Sequence, residues 1–306
     1  MFTKKTITLS TVVSDRADLG ADLEIVRDFA FAYVGKLPSR LDRRLVSVSS
    51  ERHLQELENA EGVEGVIATP EVAAKIPNHF GLAICSDPYA RIMDIHEYLI
   101  EIPEFQWANF PSQIDASAKI HPSAVVAENN VKIAEGCVIG PNAVICERTI
   151  IGANSSIGPG TVVGCEAYDM KPGPGPQRLL KQSGGVLIGK DVVILSSTTI
   201  VRATFGGFTV IEDEAAIDNL VHLAHDCHVG RRAKIVACAT VCGRVVIGEG
   251  SYIGPNATVS NGITLGERST VTLGAVTVKD VAEDSRVTGN FALPHTKWIN
   301  FIKSIR

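Results

Sequence analysis

The densest group of side chains that can do chemistry lies in IDNLVHLAHDCHVG, residues 217–230. It contains three histidines at spacings of three, His222, His225 and His228, preceded by Asp218 and Asn219. Imidazole is the side chain that most readily serves as a general base or a metal ligand near neutral pH. Whether the segment forms a metal site or an acid–base site depends on where the fold places each histidine.

The elements that position this segment follow a period of six residues. An aliphatic residue occupies every sixth position without a miss at Ile211, Ile217, Leu223, Val229, Ile235, Val241, Ile247, Ile253, Val259, Leu265 and Val271. Neither a helix nor a long alternating strand has this period, whereas three six-residue faces per turn do. The sequence therefore predicts an all-β solenoid, a parallel β-helix whose 18-residue coils enclose a triangular prism of aliphatic side chains.

Three regions are predicted along the chain. Residues 1–108 lack the six-residue period and alternate strand-like with helix-like stretches, which is typical of a small α/β domain. The β-helix is expected over residues 112–285, with a Gly- and Pro-rich loop excursion at 164–187. A short C-terminal helix is expected within residues 290–306.

Two smaller features refine this division. Ser50, Thr69 and Asp87 stand where helix N-caps are expected in the α/β domain. A second interruption, residues 202–209, adds five residues between the repeats at Ile200 and Ile211.

Composition limits the possible partners and location. The 306 residues include 29 basic and 34 acidic side chains, so the formal net charge is −5 and no nucleic-acid partner is expected. The first residues lack the apolar core of a signal peptide, and no stretch has the roughly 18 apolar residues of a membrane span. We expect a soluble cytoplasmic protein whose seven cysteines stay reduced.

The repeat argues against a metal site. His222 and His228 are sixth positions of successive hexads, so they lie on different faces of the prism. Zinc would need histidines on adjacent coils, about 18 residues apart, but positions 204, 207, 240 and 243 hold Thr, Gly, Thr and Gly. We predict no metal.

The repeat also brings His225 next to Gly243. The two residues are 18 positions apart, so they occupy equivalent places on successive coils. A titratable base beside exposed backbone suits proton transfer, with an amide N–H available to a developing oxyanion. A solvated histidine beside a turn glycine is the alternative. Asp218 and Asn219 either orient an acceptor or the imidazole, or are turn-favouring corner residues.

The repeat, the HPSA at 121–124 and IDNLVHLAHD with Gly243 resemble UDP-3-O-acylglucosamine N-acyltransferase of lipid A biosynthesis, and more broadly the hexapeptide-repeat sugar acyltransferases. The resemblance implies a left-handed β-helix and a homotrimer with active sites between subunits. It also implies that His225 takes a proton from a sugar amine as the amine attacks an acyl thioester, while Gly243 offers its N–H to the thioester oxygen.

The resemblance thus implies an N-acyltransferase, a transferase of acyl groups other than aminoacyl groups. The donor would be a thioester of acyl carrier protein or coenzyme A, and the acceptor the amine of a nucleotide-linked amino sugar of lipid A or another surface glycan. No permanently bound cofactor is needed.

Further residues are candidates for binding the substrates. Asp218, Asn219 and His222 are candidates for the acceptor site. Lys171 and Arg178 in the excursion are placed to grip a diphosphate or the acidic surface of a carrier protein. Near the C-terminus, Asn290 and Lys297 lie in a segment similar to the loop with which relatives contact the donor.

The chain departs from the family in its N-terminal domain. The uracil-stacking pattern Phe-x-x-Asn-Pro-Lys falls on residues 47–52, where Ser47 replaces the aromatic ring. This favours an acceptor other than the lipid A precursor, with the lipid A enzyme itself as the alternative. A metal-dependent hydratase and a non-catalytic trimeric scaffold are further alternatives for this architecture.

Overall fold

The computed structural model describes residues 5–37, 39–105, 107–171, 176–289 and 291–305. The N-terminal part is an α/β unit with a five-stranded sheet of order β2-β7-β6-β5-β4, in which only β2 runs antiparallel to its neighbour. Its strands are β1 (Ile7–Thr8), β2 (Glu24–Arg27), β3 (Ala30–Phe31), β4 (Tyr33–Gly35), β5 (Arg44–Val48), β6 (Val63–Ala68) and β7 (Gly81–Ile84). Its helices are α1 (Leu9–Asp15), α2 (Ala17–Gly20), α3 (Glu51–Glu58), α4 (Pro70–Ala73) and α5 (Pro88–Leu99), followed by a 3-10 turn at Pro103–Phe105.

Two of the three predicted helix caps are confirmed. Ser50 Oγ accepts the backbone N–H of His53, and Asp87 Oδ1 accepts that of Ala90. Thr69 does precede α4, but its side chain accepts no hydrogen bond from the helix. Its hydroxyl instead hydrogen-bonds the Glu71 carboxylate.

Short parallel strands then form three faces of a prism. The first face contains β8 (Gln113–Ile114), β11 (Val131–Ile133), β14 (Thr149–Ile151), β17 (Gly185–Ile188), β20 (Phe208–Ile211), β23 (His228–Val229), β26 (Val246–Ile247) and β29 (Thr264–Leu265). The second contains β9 (Lys119–Ile120), β12 (Val138–Ile139), β15 (Ser156–Ile157), β18 (Val193–Ile194), β21 (Ala216–Ile217), β24 (Lys234–Ile235), β27 (Tyr252–Ile253), β30 (Thr270–Val271) and β32 (Arg286–Val287). The third contains β10 (Val125–Val126), β13 (Val144–Ile145), β16 (Val162–Cys165), β19 (Thr199–Val201), β22 (His222–Leu223), β25 (Thr240–Val241), β28 (Thr258–Val259) and β31 (Val276–Thr277).

The aliphatic residues that recur every six positions form the core of this prism. All eleven aliphatic residues of the series from Ile211 to Val271 are at most 1% exposed and belong to one apolar cluster. Burying a side chain of this size contributes about 1.5–3 kcal/mol relative to leaving it exposed. Burial of the repeated aliphatic side chains therefore makes the main contribution to the stability of the β-helix, and the repeat also sets its geometry.

The two interruptions leave the prism and return to it in register. Strand β16 ends at Cys165 and β17 begins at Gly185, so strand structure extends into both ends of the predicted excursion 164–187. At the second interruption, Thr199 pairs with His222, a separation of 23 residues, which is one coil plus the predicted five. The C-terminal helix α6 (His295–Ser304) begins after Pro294, later than residue 290, the start of the predicted segment.

Both interruptions pack against α5 of the N-terminal unit. His96 Nε2 lies 3.0 Å from the backbone oxygen of Lys181, and the imidazole meets the Phe205 ring edge-on with centroids 4.9 Å apart. Complete burial lowers the pKa of His96 to about 4, so this side chain is neutral at pH 7. Leu180 and Phe205 are buried in the same apolar cluster as α5.

Ion pairs attach the excursion to the exposed side of α5. The Glu97 carboxylate accepts hydrogen bonds from both terminal nitrogens of Arg178, at 2.6 and 2.8 Å, and from Lys171 Nζ at 2.6 Å. Lys171 also lies 2.5 Å from Asp94. Hydrogen bonds from Arg178 and then from Lys171 lower the pKa of Glu97 to about 2. The two cations that the sequence predicts to bind substrate thus hold the excursion on α5.

Replacing Glu97 with glutamine should lower the free energy of unfolding by about 1–3 kcal/mol at pH 7. The pKa of Glu97 is lower in the folded than in the unfolded chain. Its contribution is therefore complete above about pH 5 and is lost as pH falls from about 4.5 towards 2. Urea unfolding of E97Q and the unmodified protein at pH 7 and pH 3 measures this difference.

Glu101→Gln is the matched control. Glu101 faces Lys181 of the same excursion at 3.5 Å, but both side chains are about 60% exposed, at 60% and 61%. Its loss should change the free energy of unfolding by less than about 0.5 kcal/mol. A destabilisation of E97Q that is the same at pH 7 and pH 3 would contradict the role given to the Glu97 charge.

Candidate active site

His225 lies at the corner where the chain turns from the third face to the first. In the strands leading to this corner, His222 pairs with Thr240 and Leu223 with Val241, so His225 and Gly243 stand on successive coils. A Cβ atom on Gly243 would lie 2.5 Å from His225 Nε2. The structure thus places the imidazole against the glycine, as the 18-residue spacing predicts, and the ring occupies the space that any side chain at 243 would need.

Asp226 orients the imidazole. His225 Nδ1 lies 2.7 Å from Asp226 Oδ2, and the two side chains are 19% and 20% exposed. A carboxylate beside Nδ1 selects the tautomer with its proton on Nδ1, since the ionised carboxylate only accepts. Nε2, on the Gly243 side, then carries the lone pair and can take a proton.

Residues of the second interruption form hydrogen bonds with Asp226. The Thr204 N–H donates to both carboxylate oxygens at 3.3 Å, and the Asp226 N–H donates to Thr209 Oγ1 at 2.9 Å. Asp226 itself has a φ of 58°, a left-handed conformation that aspartate adopts more readily than most residues. The second interruption therefore supplies groups that fix the aspartate. The break in spacing was visible in the sequence, but its link to Asp226 was not.

The Gly243 amide has a partner within the protein. Its N–H donates to Asn261 Oδ1 at 3.0 Å, and Asn261 is the equivalent residue one further coil along. The sequence interpretation assigned this N–H to a substrate oxyanion and gave Asn261 no role in binding it. The 18-residue spacing from Gly243 was the signal that could have found it.

A cleft of about 190 Å³ opens beside this corner, between the β-helix and the N-terminal unit. Its walls include Arg40 and Leu41 on one side and Asp226 and His228 on the other. Arg244 fastens the N-terminal segment nearby by donating from Nη1 to the backbone oxygen of Leu37 at 2.7 Å. The cleft therefore adjoins the His225 corner through Asp226 and brings the N-terminal residue Arg40 to its opposite wall.

Comparisons with known proteins bear on what this corner does. The family model described as Bacterial transferase hexapeptide (six repeats) matches residues 130–165. UDP-3-O-acylglucosamine N-acyltransferase of Bordetella parapertussis is 26% identical, covering 91% of this chain and 84% of that protein. The enzyme of the same name from Delftia acidovorans is 30% identical over 291 residues, covering 89% of this chain and 83% of that protein. The chain belongs to the UDP-3-O-acylglucosamine N-acyltransferase family.

It is therefore an acyltransferase, as the sequence predicts. The predicted left-handed parallel β-helix, with an α/β unit before it and a short helix after it, is confirmed. Among solved structures, UDP-N-acetylglucosamine acyltransferase from Campylobacter jejuni is 22% identical, covers 63% of this chain and 81% of that chain, and has a TM-score of 0.42.

The other two histidines of the 217–230 segment of this acyltransferase, His222 and His228, lie on separate faces, as predicted. His222 is on the third face, where burial and then the nearby His225 lower its pKa. His228 is on the first face, where its Nε2 lies 2.7 Å from Glu212 Oε1. Nowhere in the described ranges do three or more His, Cys, Asp or Glu side chains form a group that could hold a metal ion.

Asp218 and Asn219 tie successive coils together at a different corner, between the second and third faces. Asp218 accepts the Asn219 N–H at 2.7 Å and the Ala237 N–H at 3.1 Å. Asn219 Oδ1 accepts the Ser196 N–H at 3.0 Å. These contacts favour the interpretation as corner residues, and the assignment to the acceptor site remains a prediction.

Lys171, Arg178 and Lys297 are the remaining candidates whose placement the structure describes. Lys171 and Arg178 contact α5, as described above. Lys297 is exposed in the first turn of α6, and Asn290 lies outside the described residues. None of the helices within the described ranges is both long and apolar enough to cross a membrane.

Gly243→Ala should lower kcat of the acyltransferase at least about 100-fold, because the new methyl group must displace the His225 ring. The backbone at 243 has no positive φ, so the cost is steric and should remove only about 1–3 kcal/mol of stability. Steady-state kinetics together with thermal unfolding separates the two effects.

Gly274→Ala serves as the control. A Cβ there meets nothing within 4 Å, although its φ of +64° costs about 1–2 kcal/mol in an alanine. The Gly274→Ala variant should therefore be less stable than the unmodified protein, and its kcat should be unchanged. A folded G243A protein with unchanged kcat would show that the position of the ring does not matter.

Proposed function

We propose that this acyltransferase moves an acyl group from a thioester to the amine of a nucleotide-linked amino sugar, with His225 as general base. One observation carries the proposal. The pair of His225 and Asp226 holds the imidazole with Nε2 against Gly243, within the segment that resembles the family. This geometry needs neither a nucleophilic side chain of the enzyme nor a resident cofactor.

The reaction follows from this geometry. The sugar amine attacks the thioester carbonyl carbon, a C–N bond forms, and the carbonyl electrons move to oxygen. His225 Nε2 takes the proton released by the nitrogen, while Asp226 balances the positive charge on the ring. When the oxyanion collapses, the C–S bond breaks, and the sulfur leaves as a thiol with the proton from Nε2.

The acceptor named by the relatives, UDP-3-O-acylglucosamine, is the first one to test. One observation favours a related amino sugar instead. Ser47, at the position of the family's uracil-stacking ring, is part of strand β5, and the neighbouring Arg52 pairs with Glu56 on the surface. Arg40 in the cleft beside Asp226 supplies a cation for the phosphates of either acceptor.

The donor is a thioester of acyl carrier protein or coenzyme A, with Lys297 and Asn290 as candidates for contacting it. We expect a homotrimer, because α6 leaves Trp298 and Phe301 about half exposed, at 46% and 49%, and a neighbouring copy can cover them. The cytoplasmic location remains a prediction.

His225→Ala should lower kcat by about 10²–10⁴-fold through loss of the general base. The measurement is acyl transfer from coenzyme A and carrier-protein thioesters to UDP-3-O-acylglucosamine and other nucleotide-linked amino sugars. His121→Ala, which alters an exposed histidine in the first coils, should leave kcat unchanged. If H225A retains activity within tenfold of the unmodified enzyme, His225 is not the base.

A further inference from the structure

The cleft between the N-terminal unit and the β-helix contains hydrogen-bond donors that the described residues leave unused. Arg40 lines this cleft, and its guanidinium forms no ion pair or hydrogen bond with any residue that the structure describes. Ser39 also lines it, and Ser39 Oγ accepts the Leu41 N–H at 3.2 Å. The hydroxyl hydrogen of Ser39 is therefore still available to donate.

The backbone on both sides of Arg40 is anchored. Before it, the Leu37 oxygen accepts a hydrogen bond from Arg244 Nη1 at 2.7 Å. After it, the Leu41 oxygen accepts one from Nη1 of Arg44, a side chain that is only 1% exposed. Arg40 is thus held at the cleft by its backbone, while its own charged group has no partner. A binding group whose backbone is already fixed loses less entropy when a ligand arrives.

The second interruption adds two backbone amides to the same cleft. Gly206 and Gly207 both line it, and neither N–H has an acceptor within the described ranges. Their φ values are +110° and +66°, and a Cβ on Gly207 would lie 2.7 Å from Leu41 Cδ2. Gly206 is buried, and a buried amide without an acceptor is rare in a folded protein. These amides are suited to an acceptor that a ligand supplies.

The other charged groups of the cleft already have partners. Both Asp226 oxygens accept hydrogen bonds, as described above, and His228 Nε2 lies 2.7 Å from Glu212 Oε1. Burial and then the positive charge of Arg40 lower the pKa of His228. The charge of Arg40 therefore acts across the cleft, where no described carboxylate pairs with it.

We propose that this cleft binds the diphosphate of the nucleotide-linked acceptor, with the Arg40 guanidinium, the Ser39 hydroxyl and the amides of Gly206 and Gly207 as donors. The inference rests on the proposed function and names the groups that hold its acceptor. A guanidinium and successive backbone amides suit a group with several anionic oxygens. The cleft adjoins the His225 corner through Asp226, so the diphosphate lies next to the sugar that carries the reacting amine.

Arg40→Gln tests this assignment through binding, without requiring turnover. Isothermal titration should show Kd for UDP and for inorganic pyrophosphate rising by about 10–100-fold, because a charge-assisted hydrogen bond is lost. Arg40→Lys keeps the charge but not the planar fork, so its loss should be smaller. Arg40 is exposed, and thermal unfolding should show both variants as stable as the unmodified protein. With an active acceptor, R40Q should raise KM and leave kcat nearly unchanged.

Arg52→Gln is the matched control. Arg52 is 82% exposed, pairs with Glu56 and lies in the 47–52 segment onto which the family's uracil-stacking pattern falls. R52Q should bind UDP and pyrophosphate as the unmodified protein does. Coenzyme A also contains a diphosphate and tests whether the cleft serves the donor instead. Its Kd should be the same for R40Q and the unmodified protein.

Each outcome decides the assignment. Weaker binding of UDP and pyrophosphate by R40Q, with R52Q and coenzyme A binding unchanged, supports it. An R40Q protein whose Kd for UDP stays within about threefold overturns it, as does a loss confined to coenzyme A or to R52Q. The absence of UDP and pyrophosphate binding at millimolar concentration in the unmodified protein overturns it too. If Arg40 binds the diphosphate but no nucleotide-linked amino sugar is acylated, the proposed function fails and the cleft assignment stands.

Discussion

The backbone hydrogen bonds between successive coils are the constraint on which this molecule depends. Each short strand pairs in parallel with the strand one coil away, usually 18 residues along the chain. The buried aliphatic series inside the prism fixes which residues point inward. Together they determine which corner residues lie above one another. His225, Gly243 and Asn261 are adjacent because the pairing between strands places them at equivalent positions of successive coils.

The places where the repeat breaks give this scaffold its specific features. The interruption at 202–209 supplies the Thr204 and Thr209 groups that hold Asp226, and it places Phe205 in the core of the N-terminal unit. The longer excursion supplies Leu180 to the same core and pairs with Glu97. A regular prism offers only identical corners, so one corner becomes distinct where an insertion adds new partners.

What could be predicted from the sequence follows from the same constraint. The fold and the contact of His225 with Gly243 depend on backbone register, which a period of six residues reveals directly. Side-chain directions depend on neighbours that the period does not encode. Lys171 and Arg178 appeared free to bind an anion, but α5 presents Glu97 to them. Asn261 was given no role because a polar residue at a turn is ordinary until its partner is known.

The corner also limits where selectivity for the substrates can arise. His225 and Asn261 approach Gly243 from opposite sides, so polar side chains of successive coils meet at this corner of the prism. Under the proposed function, selectivity for the acceptor can come from groups outside the repeat. Within the described chain, the N-terminal segment that brings Arg40 and Leu41 to the cleft beside Asp226 is such a group. Arg244, the residue after Gly243, anchors that segment through the Leu37 oxygen, so the N-terminal unit is joined directly to the corner proposed for catalysis.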